Sequence, residues 1–318
     1  MPSGLYFFLG LQYFCSRFYQ ICIIMKKLSI FVAFAAMAVS ALFAQDDAAK
    51  KSPWSYNGLA GVNYSQSSFT NWSAGGDNSM SGNVYLNASL NYLDENSSWT
   101  NDLDANFGMM NSASIGEWRK NIDNLHLASK YGRTMAGKFY YAVLLDMKTQ
   151  FADGYDYGSA DKKKVSSFMT PAYVTLSVGI DYKPNANFSA YYSPVSGKLT
   201  YVNDTVFSVA YGLKQGLKTR WELGSTFKAN VAYQFWDNKV TLKSNVDLFT
   251  AYNESFGNVD VNWDLLLGLN LTKHISLNFQ STLKYDDDIR YIDPTTGESH
   301  GARIQFKEVF GLGLTYKF

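Results

Sequence analysis

From Ile304 to Phe318 the chain alternates. Ile304, Phe306, Phe310, Leu312, Leu314, Tyr316 and Phe318 fall on one face, and Gln305, Lys307, Val309, Gly311, Gly313, Thr315 and Lys317 on the other. Successive side chains of a strand point to opposite sides, so a period of two with unlike faces predicts a strand between two different surroundings. A soluble strand of this kind is usually about half as long and seldom ends on the last aromatic residue of a protein. In a transmembrane barrel the apolar face meets lipid, the small polar face meets the lumen, and aromatic residues anchor the strand at the boundary with water. Glu308 interrupts the apolar face. It is expected at the outer limit of the lipid band, where a charge costs about 1 kcal/mol or less.

The same alternation predicts eleven more strands upstream. Their apolar faces run through Tyr56 to Tyr64, Val84 to Tyr92, Trp99 to Met109, Phe139 to Met147, Ala172 to Tyr182, Phe188 to Tyr192, Trp221 to Phe235, Val240 to Leu248, Val259 to Leu271 and Ile275 to Tyr285, with an irregular strand over 119–132. Connections alternate in length. Asp94 to Ser98, Arg133 to Gly137, Lys183 to Ala186, Trp236 to Lys239 and Thr272-Lys273 are short, whereas Ser67 to Asn78, Asn111 to Trp118, Ala152 to Thr170, Ser193 to Thr219, Glu254 to Asn258 and Asp286 to Arg303 are longer. Bacterial outer-membrane barrels have this rhythm, with an even number of strands. The expected fold is therefore all-β: a transmembrane antiparallel β-barrel of about 12 strands with short periplasmic turns and long extracellular loops. Within Ser193 to Thr219, Lys198 to Val202 and Thr205 to Tyr211 flank Asn203-Asp204. As a hairpin in the wall they would make the strands fourteen. Their arms fall short of the about 9–11 residues a span needs, so an extracellular hairpin or a flap folded into the mouth is expected.

Composition agrees with this reading. The 318 residues carry a net charge of +1, are 16% aromatic and have a mean hydropathy of -0.18, which excludes a helical membrane protein. A neutral balance gives no footprint for nucleic acid. Met25-Lys26-Lys27, an apolar run from Leu28 to Val39 and Ser40-Ala41-Leu42-Phe43-Ala44 read as a signal peptide, cleaved before Gln45. Translation is expected to start at Met25, leaving 1–24 as a mis-called start or an extra segment, 45–53 as a periplasmic lead and 54–318 as the barrel. Cys15 and Cys22 precede the cleavage point, so thiol and disulfide chemistry are excluded from the mature chain.

Inward positions decide function in a barrel. Counting through the tight turn at Asp237-Asn238 puts Lys228 opposite Asp247, and counting through Ser255-Phe256 puts Asp247 opposite Asp264. The expected lumen charge row is Lys228, Asp247 and Asp264, with Lys243 as a further cation, since carboxylates facing each other need one nearby. It reads either as a charged constriction or as an ion-pair network bracing the wall. Chemistry is thinly signalled. His126, His274 and His300 sit in no catalytic motif, and a hydrolase would need a serine or loop carboxylates converging on one of them. Asp286, Asp287 and Asp288, with Asp293 and Glu298, are candidates for a hard cation, without EF-hand spacing. Lys162-Lys163-Lys164 in an outer loop could meet lipopolysaccharide phosphates. No cofactor is expected, and no enzyme activity.

Ser68-Phe69-Thr70-Asn71-Trp72-Ser73-Ala74-Gly75-Gly76-Asp77-Asn78 and Tyr192-Ser193-Pro194-Val195-Ser196-Gly197-Lys198 resemble an uncharacterised family of outer-membrane barrels from Bacteroidota, a domain of unknown function. The likeness runs from about Trp54 to Phe318. It implies an integral outer-membrane location and the barrel architecture, no activity, and a shaped extracellular loop around Trp72, Gly75, Gly76 and Asp77. The expected function is a passive, porin-like small-solute channel. The alternatives are a non-conducting barrel that binds through its outer loops and an outer-membrane hydrolase. Expected partners are membrane lipid and lipopolysaccharide, the barrel-assembly machinery through the last strand, and a small solute.

Overall fold

The computed structural model describes residues 52–67, 78–157, 162–253, 256–292 and 299–317. The expectations for the signal peptide and for Trp72, Gly75, Gly76 and Asp77 lie outside these residues. The strands are β1 (Trp54–Ser67), β2 (Ser79–Leu93), β3 (Ser97–Ser112), β4 (Arg119–Ala136), β5 (Phe139–Thr149), β6 (Gly154–Asp156), β7 (Lys163–Ser166), β8 (Ala172–Asn185), β9 (Phe188–Tyr201), β10 (Thr219–Phe235), β11 (Val240–Ala251), β12 (Asp260–Asn270), β13 (Ile275–Tyr285), β14 (Arg290–Ile292), β15 (Ser299–Ala302) and β16 (Gln305–Lys317). Among the described residues, twelve of them close into one antiparallel barrel in the order β1-β16-β13-β12-β11-β10-β9-β8-β5-β4-β3-β2. The short strands β6-β7 and β14-β15 form hairpins in the long connections.

Alternation set the faces. Tyr141, Val143 and Leu145 of β5 lie opposite Ile180, Val178 and Leu176 of β8, all of them exposed on the outer wall, while the intervening Ala142 and Leu144 are buried inside. An apolar exterior of this extent would be unsupportable in water and is what a wall facing lipid requires. Aromatic residues gather toward the short-turn end, where Trp54 packs edge-on to Tyr92 at 5.1 Å and Phe139 stacks on Tyr182 at 4.7 Å between ring centres. Trp221, Trp263 and Tyr252 stand outward toward the other end. Two such belts are the interfacial girdles of a membrane barrel.

Turn chemistry fixes register. Asp94 Oδ1 accepts the backbone N–H groups of Asn96 (2.7 Å) and Ser97 (2.6 Å), which closes the β2-β3 turn. Trp236, Asp237 and Asn238 all have positive φ between β10 and β11, and aspartate and asparagine tolerate this conformation better than most residues.

Two expectations need correction. The seventh barrel strand does not stop at Tyr192: β9 continues to Tyr201, so the connection to β10 covers 202–218. A bulge hid the continuation. The β8-β9 register shifts between Val178 and Ile180, and the β9-β10 register between Gly224 and Thr226, on both sides of Ser193-Pro194. Proline cannot donate to a ladder, and a bulge is one of the few places a wall strand accommodates it. Glycine is required beside it, because a Cβ on Gly179 would lie 2.1 Å from the Tyr192 carbonyl oxygen. Second, Thr205–Phe207 and Val209–Tyr211 are 3₁₀ turns rather than a hairpin arm. Glu308 stands opposite Ser281, one step below the row that Phe306 shares with Leu283 and Trp263 of the loop-end belt.

Candidate functional site

The lumen is lined by the residues between the lipid-facing positions, and its charges fall in tiers. In the middle tier, register places Lys228 of β10 opposite Asp247 of β11 as the tight turn required. Lys228 Nζ lies 3.2 Å from Asp247 Oδ2 and donates to Asp146 Oδ2 of β5 at 2.9 Å. Lys148, also on β5, donates to Asp247, and the His126 Nε2 proton of β4 is directed at Asp146 Oδ2 at 2.9 Å. The result is a continuous chain, Lys148 to Asp247 to Lys228 to Asp146 to His126. Around the wall β5 and β11 are separated by β8, β9 and β10. At about 4.8 Å per strand spacing that is a long arc, so these side chains leave the wall and meet across the interior.

Asp264 is not part of this chain. Asn262 lies opposite Asp247, and Asp264 faces Asn245 instead. The β11-β12 connection, 252–259, is long enough to displace the count by two residues. Asp264 accepts hydrogen bonds from Thr282 Oγ1 (2.7 Å) and Asn262 Nδ2 (2.9 Å), so neighbouring hydroxyl and amide groups satisfy it. Lys243 points inward on β11 but forms no ion pair or hydrogen bond among the described residues. The expected row thus divides: Lys228 and Asp247 join a cross-lumen network that also takes in Asp146, Lys148 and His126, while Asp264 and Lys243 stay apart from it. The alternation of β5 already put Asp146 and Lys148 on the inner face. Their partners depend on the barrel's cross-section, which no local pattern carries.

A second tier lies toward the loop end. Lys198 bonds Asp260 at 2.6 Å, and Arg220 bonds Glu222 at 3.0 Å and Asp288 at 2.7 Å. Arg220 Nη1 also donates to the Gly212 carbonyl at 3.1 Å, tying the 202–218 connection to the barrel mouth. Val202, Ser208, Phe207 and Leu213 of that connection are buried, and burial pushes the Tyr211 phenol up to about 12. This is the expected flap, and it is packed down. A third tier, near the short turns, holds Lys130 and Lys183 on Asp181 at 2.8 and 3.3 Å.

The acidic run does not gather around a common point. Asp288 goes to Arg220, Asp287 accepts from Asn258, and Asp286 accepts the Asp288 N–H, its carboxyl pushed up by burial. Among the described residues no group of three or more His, Cys, Asp or Glu side chains has a metal-holding arrangement, while Asp293 and Glu298 lie outside them. No serine among the described residues is hydrogen-bonded to His126. Of the outer-loop lysines, Lys162 is held by Glu117 at 3.2 Å and Lys164 by Asp153 at 2.9 Å.

The lumen wall has an unequal lining. Along β5, β8, β9 and β10 the inward residues Ala142, Leu144, Ser177, Tyr191, Ser196, Thr200 and Thr226 are buried. Ala142, Leu144 and Tyr191 form a small apolar cluster, against which Ala128 packs. On the other side Asp102, Asn245, Lys284, Gln305 and Lys307 point inward and remain exposed. Lys284 is exposed on the inner face of the wall while protein atoms crowd around it.

Residues 64–155 match the model of a family described as a protein of unknown function, DUF3078. No curated protein matches the sequence. Among solved structures the chain is similar to the NanC porin, at 11% identity and a TM-score of 0.36 over 82% of this chain and 100% of that one. An outer membrane channel from Pseudomonas putida F1 aligns at 12% identity and a TM-score of 0.37 over 86% and 100%. The translocator domain of the autotransporter NalP from Neisseria meningitidis aligns at 9% identity and 0.33 over 92% and 98%. Superpositions this loose transfer no pore, substrate or residue role.

Proposed function

We propose that the protein is an integral outer-membrane barrel that acts as a passive channel for small solutes, with the path along the wet side of its lumen. One observation carries this reading: polar side chains from several strands are solvent-exposed on the inner face of the barrel wall, from Asp102 and Asn245 to Lys284, Gln305 and Lys307, the last two where β16 pairs with β13. A barrel of this strand number has room for such a path. It is wider than the filled barrels of about 8 strands and narrower than porins of about 16. The short turns face the periplasm and the long loops the exterior. Lipid covers the apolar belt, Lys163 is the lysine of its run with no acidic partner among the described residues and so the one available to lipopolysaccharide phosphates, and the last strand is the signal read by the assembly machinery.

One feature favours a second reading, a non-conducting barrel that works through its outer surface. The 202–218 flap is fastened over the mouth by Arg220, and ion pairs cross the lumen below it. Planar-bilayer conductance of the refolded chain from Gln45 to Phe318 separates the two. Steady ohmic steps support the channel. A folded, heat-modifiable barrel that stays silent overturns it and moves the search to the loops.

A further inference from the structure

Most lumenal charges are neutralised within the wall. Lys130, Lys148, Lys183, Lys198, Arg220 and Lys228 all have carboxylate partners. The carboxylates of the wet side are satisfied too: Asp102 accepts from the Ser89 hydroxyl at 2.5 Å, Asp104 from the Asn87 side chain, and Asp264 from Thr282 and Asn262. Lys284 of β13 and Lys307 of β16 differ from both groups. They are exposed on the inward face of the wall and form no ion pair or hydrogen bond among the described residues.

Register brings the two together. Lys284 lies opposite Gln305 and Lys307 opposite Thr282, so the lysines are diagonal neighbours on adjacent strands. Such positions are about 7–8 Å apart between Cα atoms, within reach of one ligand for long side chains. Gln305, between them on the same face, is also exposed and adds an amide donor. Lys148 stands near enough to Lys284 to add repulsion, although Asp247 already neutralises it. Two ammonium groups are thus held close to each other and to a third cation. Asp264 and Asp286 are in electrostatic reach, but Asp264 has both oxygens engaged and Asp286 accepts the Asp288 N–H.

We propose that Lys284 and Lys307, with the Gln305 amide, form a binding site for a small multivalent oxyanion on the wet wall toward the loop end of the lumen. The site rests on the channel reading for its role as a station on the solute's path, but its binding chemistry is independent of conduction. An oxyanion relieves the repulsion between the lysines and supplies acceptors for the unused ammonium protons. Chloride brings one charge and one acceptor atom, and so binds more weakly than an oxyanion that reaches both lysines.

The test uses citrate and inorganic phosphate as probes in potassium chloride, on the wild type, a Lys284→Gln/Lys307→Gln variant and a Lys243→Gln control. Citrate or phosphate added on the loop side is expected to block the wild-type current. The double variant needs about tenfold more probe for the same block, the control does not, and reversal potentials in a salt gradient move toward cation preference in the double variant. Which probe blocks at lower concentration identifies carboxylate or phosphate as the natural group. Block that persists in the double variant, or a wild type indifferent to both probes, overturns the site. If no variant conducts, the channel reading fails, and thermal shifts of the folded barrels still decide the site. Stabilisation by either probe beyond an ionic-strength control, lost in the double variant, supports it, and its absence in the wild type overturns it.

Discussion

Around Tyr191 and around Lys284 the same alternation builds two different interiors. Tyr191 is 1% exposed, its hydroxyl paired with Ser177 at 2.9 Å and its ring packed beside Ala142 and Leu144. Lys284, four strands away around the barrel, is exposed. Period two settles only that a side chain points inward. Whether it then meets other side chains or solvent depends on size and on what reaches across. Small residues at Ser177, Ser196 and Thr200 let the β5-to-β10 wall close on itself, and the Lys228 network fastens it to β5. Packing and ion pairs thus brace the wall from β5 to β10, and the exposed inward groups Lys284, Gln305 and Lys307 stand outside it.

The largest expected effect comes from cutting that fastening. Lys228→Met removes the cation between Asp146 and Asp247, and stripping a partner from a buried ion pair typically costs about 3–5 kcal/mol. His126 and Lys148 still face the two carboxylates, so the loss is expected at the lower end of that range, read as a fall in the urea midpoint of heat-modifiable barrel in detergent. Lys284→Gln, on the wet side, is expected to leave the midpoint within about 0.5 kcal/mol, as an exposed substitution does. Equal losses at the two positions would erase the distinction between the sides.

Glycines test close packing at single positions of the backbone. A Cβ at Gly179 meets the Tyr192 carbonyl at 2.1 Å, whereas at Gly311 its nearest neighbour is Asn63 Cβ at 3.7 Å. Gly179→Ala is expected to destabilise by about 1–3 kcal/mol, as overpacking against a backbone atom does, and Gly311→Ala by much less. Arg220→Ala acts at the mouth. It releases the Gly212 carbonyl and Asp288, so the expected outcome is a noisier and larger conductance together with faster proteolysis within 202–218. Unchanged cleavage there would mean that buried Phe207 and Leu213 hold the flap without the arginine.

Much of the wall was legible because each strand's face is a local property. The tight turn carried the count from Lys228 to Asp247 correctly, while the longer connection after β11 put Asp264 two residues out of place. The continuation of β9 was hidden because the bulge at Ser193-Pro194 breaks the alternation where it must be counted. Irregular β4 held His126, whose partner Asp146 is close in space and 20 residues away in sequence. The functional lining was the least legible part. Ser177 and Lys284 look alike as inward polar positions, and only closure of the barrel shows that one is packed and the other wet.

The smallest expected effect tests a turn at the short-turn end of the wall, the one between β2 and β3 that Asp94 closes. The Tyr92 hydroxyl, followed by the N–H groups of Asn96 and Ser97, stabilises the ionised carboxyl and holds it below the usual carboxylate range. A depressed folded-state value means that this contribution is complete above the unfolded carboxylate value of about 4 and fades as pH falls through the lower folded one. Asp94→Asn keeps an acceptor oxygen but loses the charge. Its urea midpoint is expected slightly below that of the wild type at neutral pH, with the two converging in acid once both side chains are uncharged. A difference that persists unchanged in acid would show that the turn depends on the geometry of the side chain and not on its charge, and that a neutral cap cannot reproduce it.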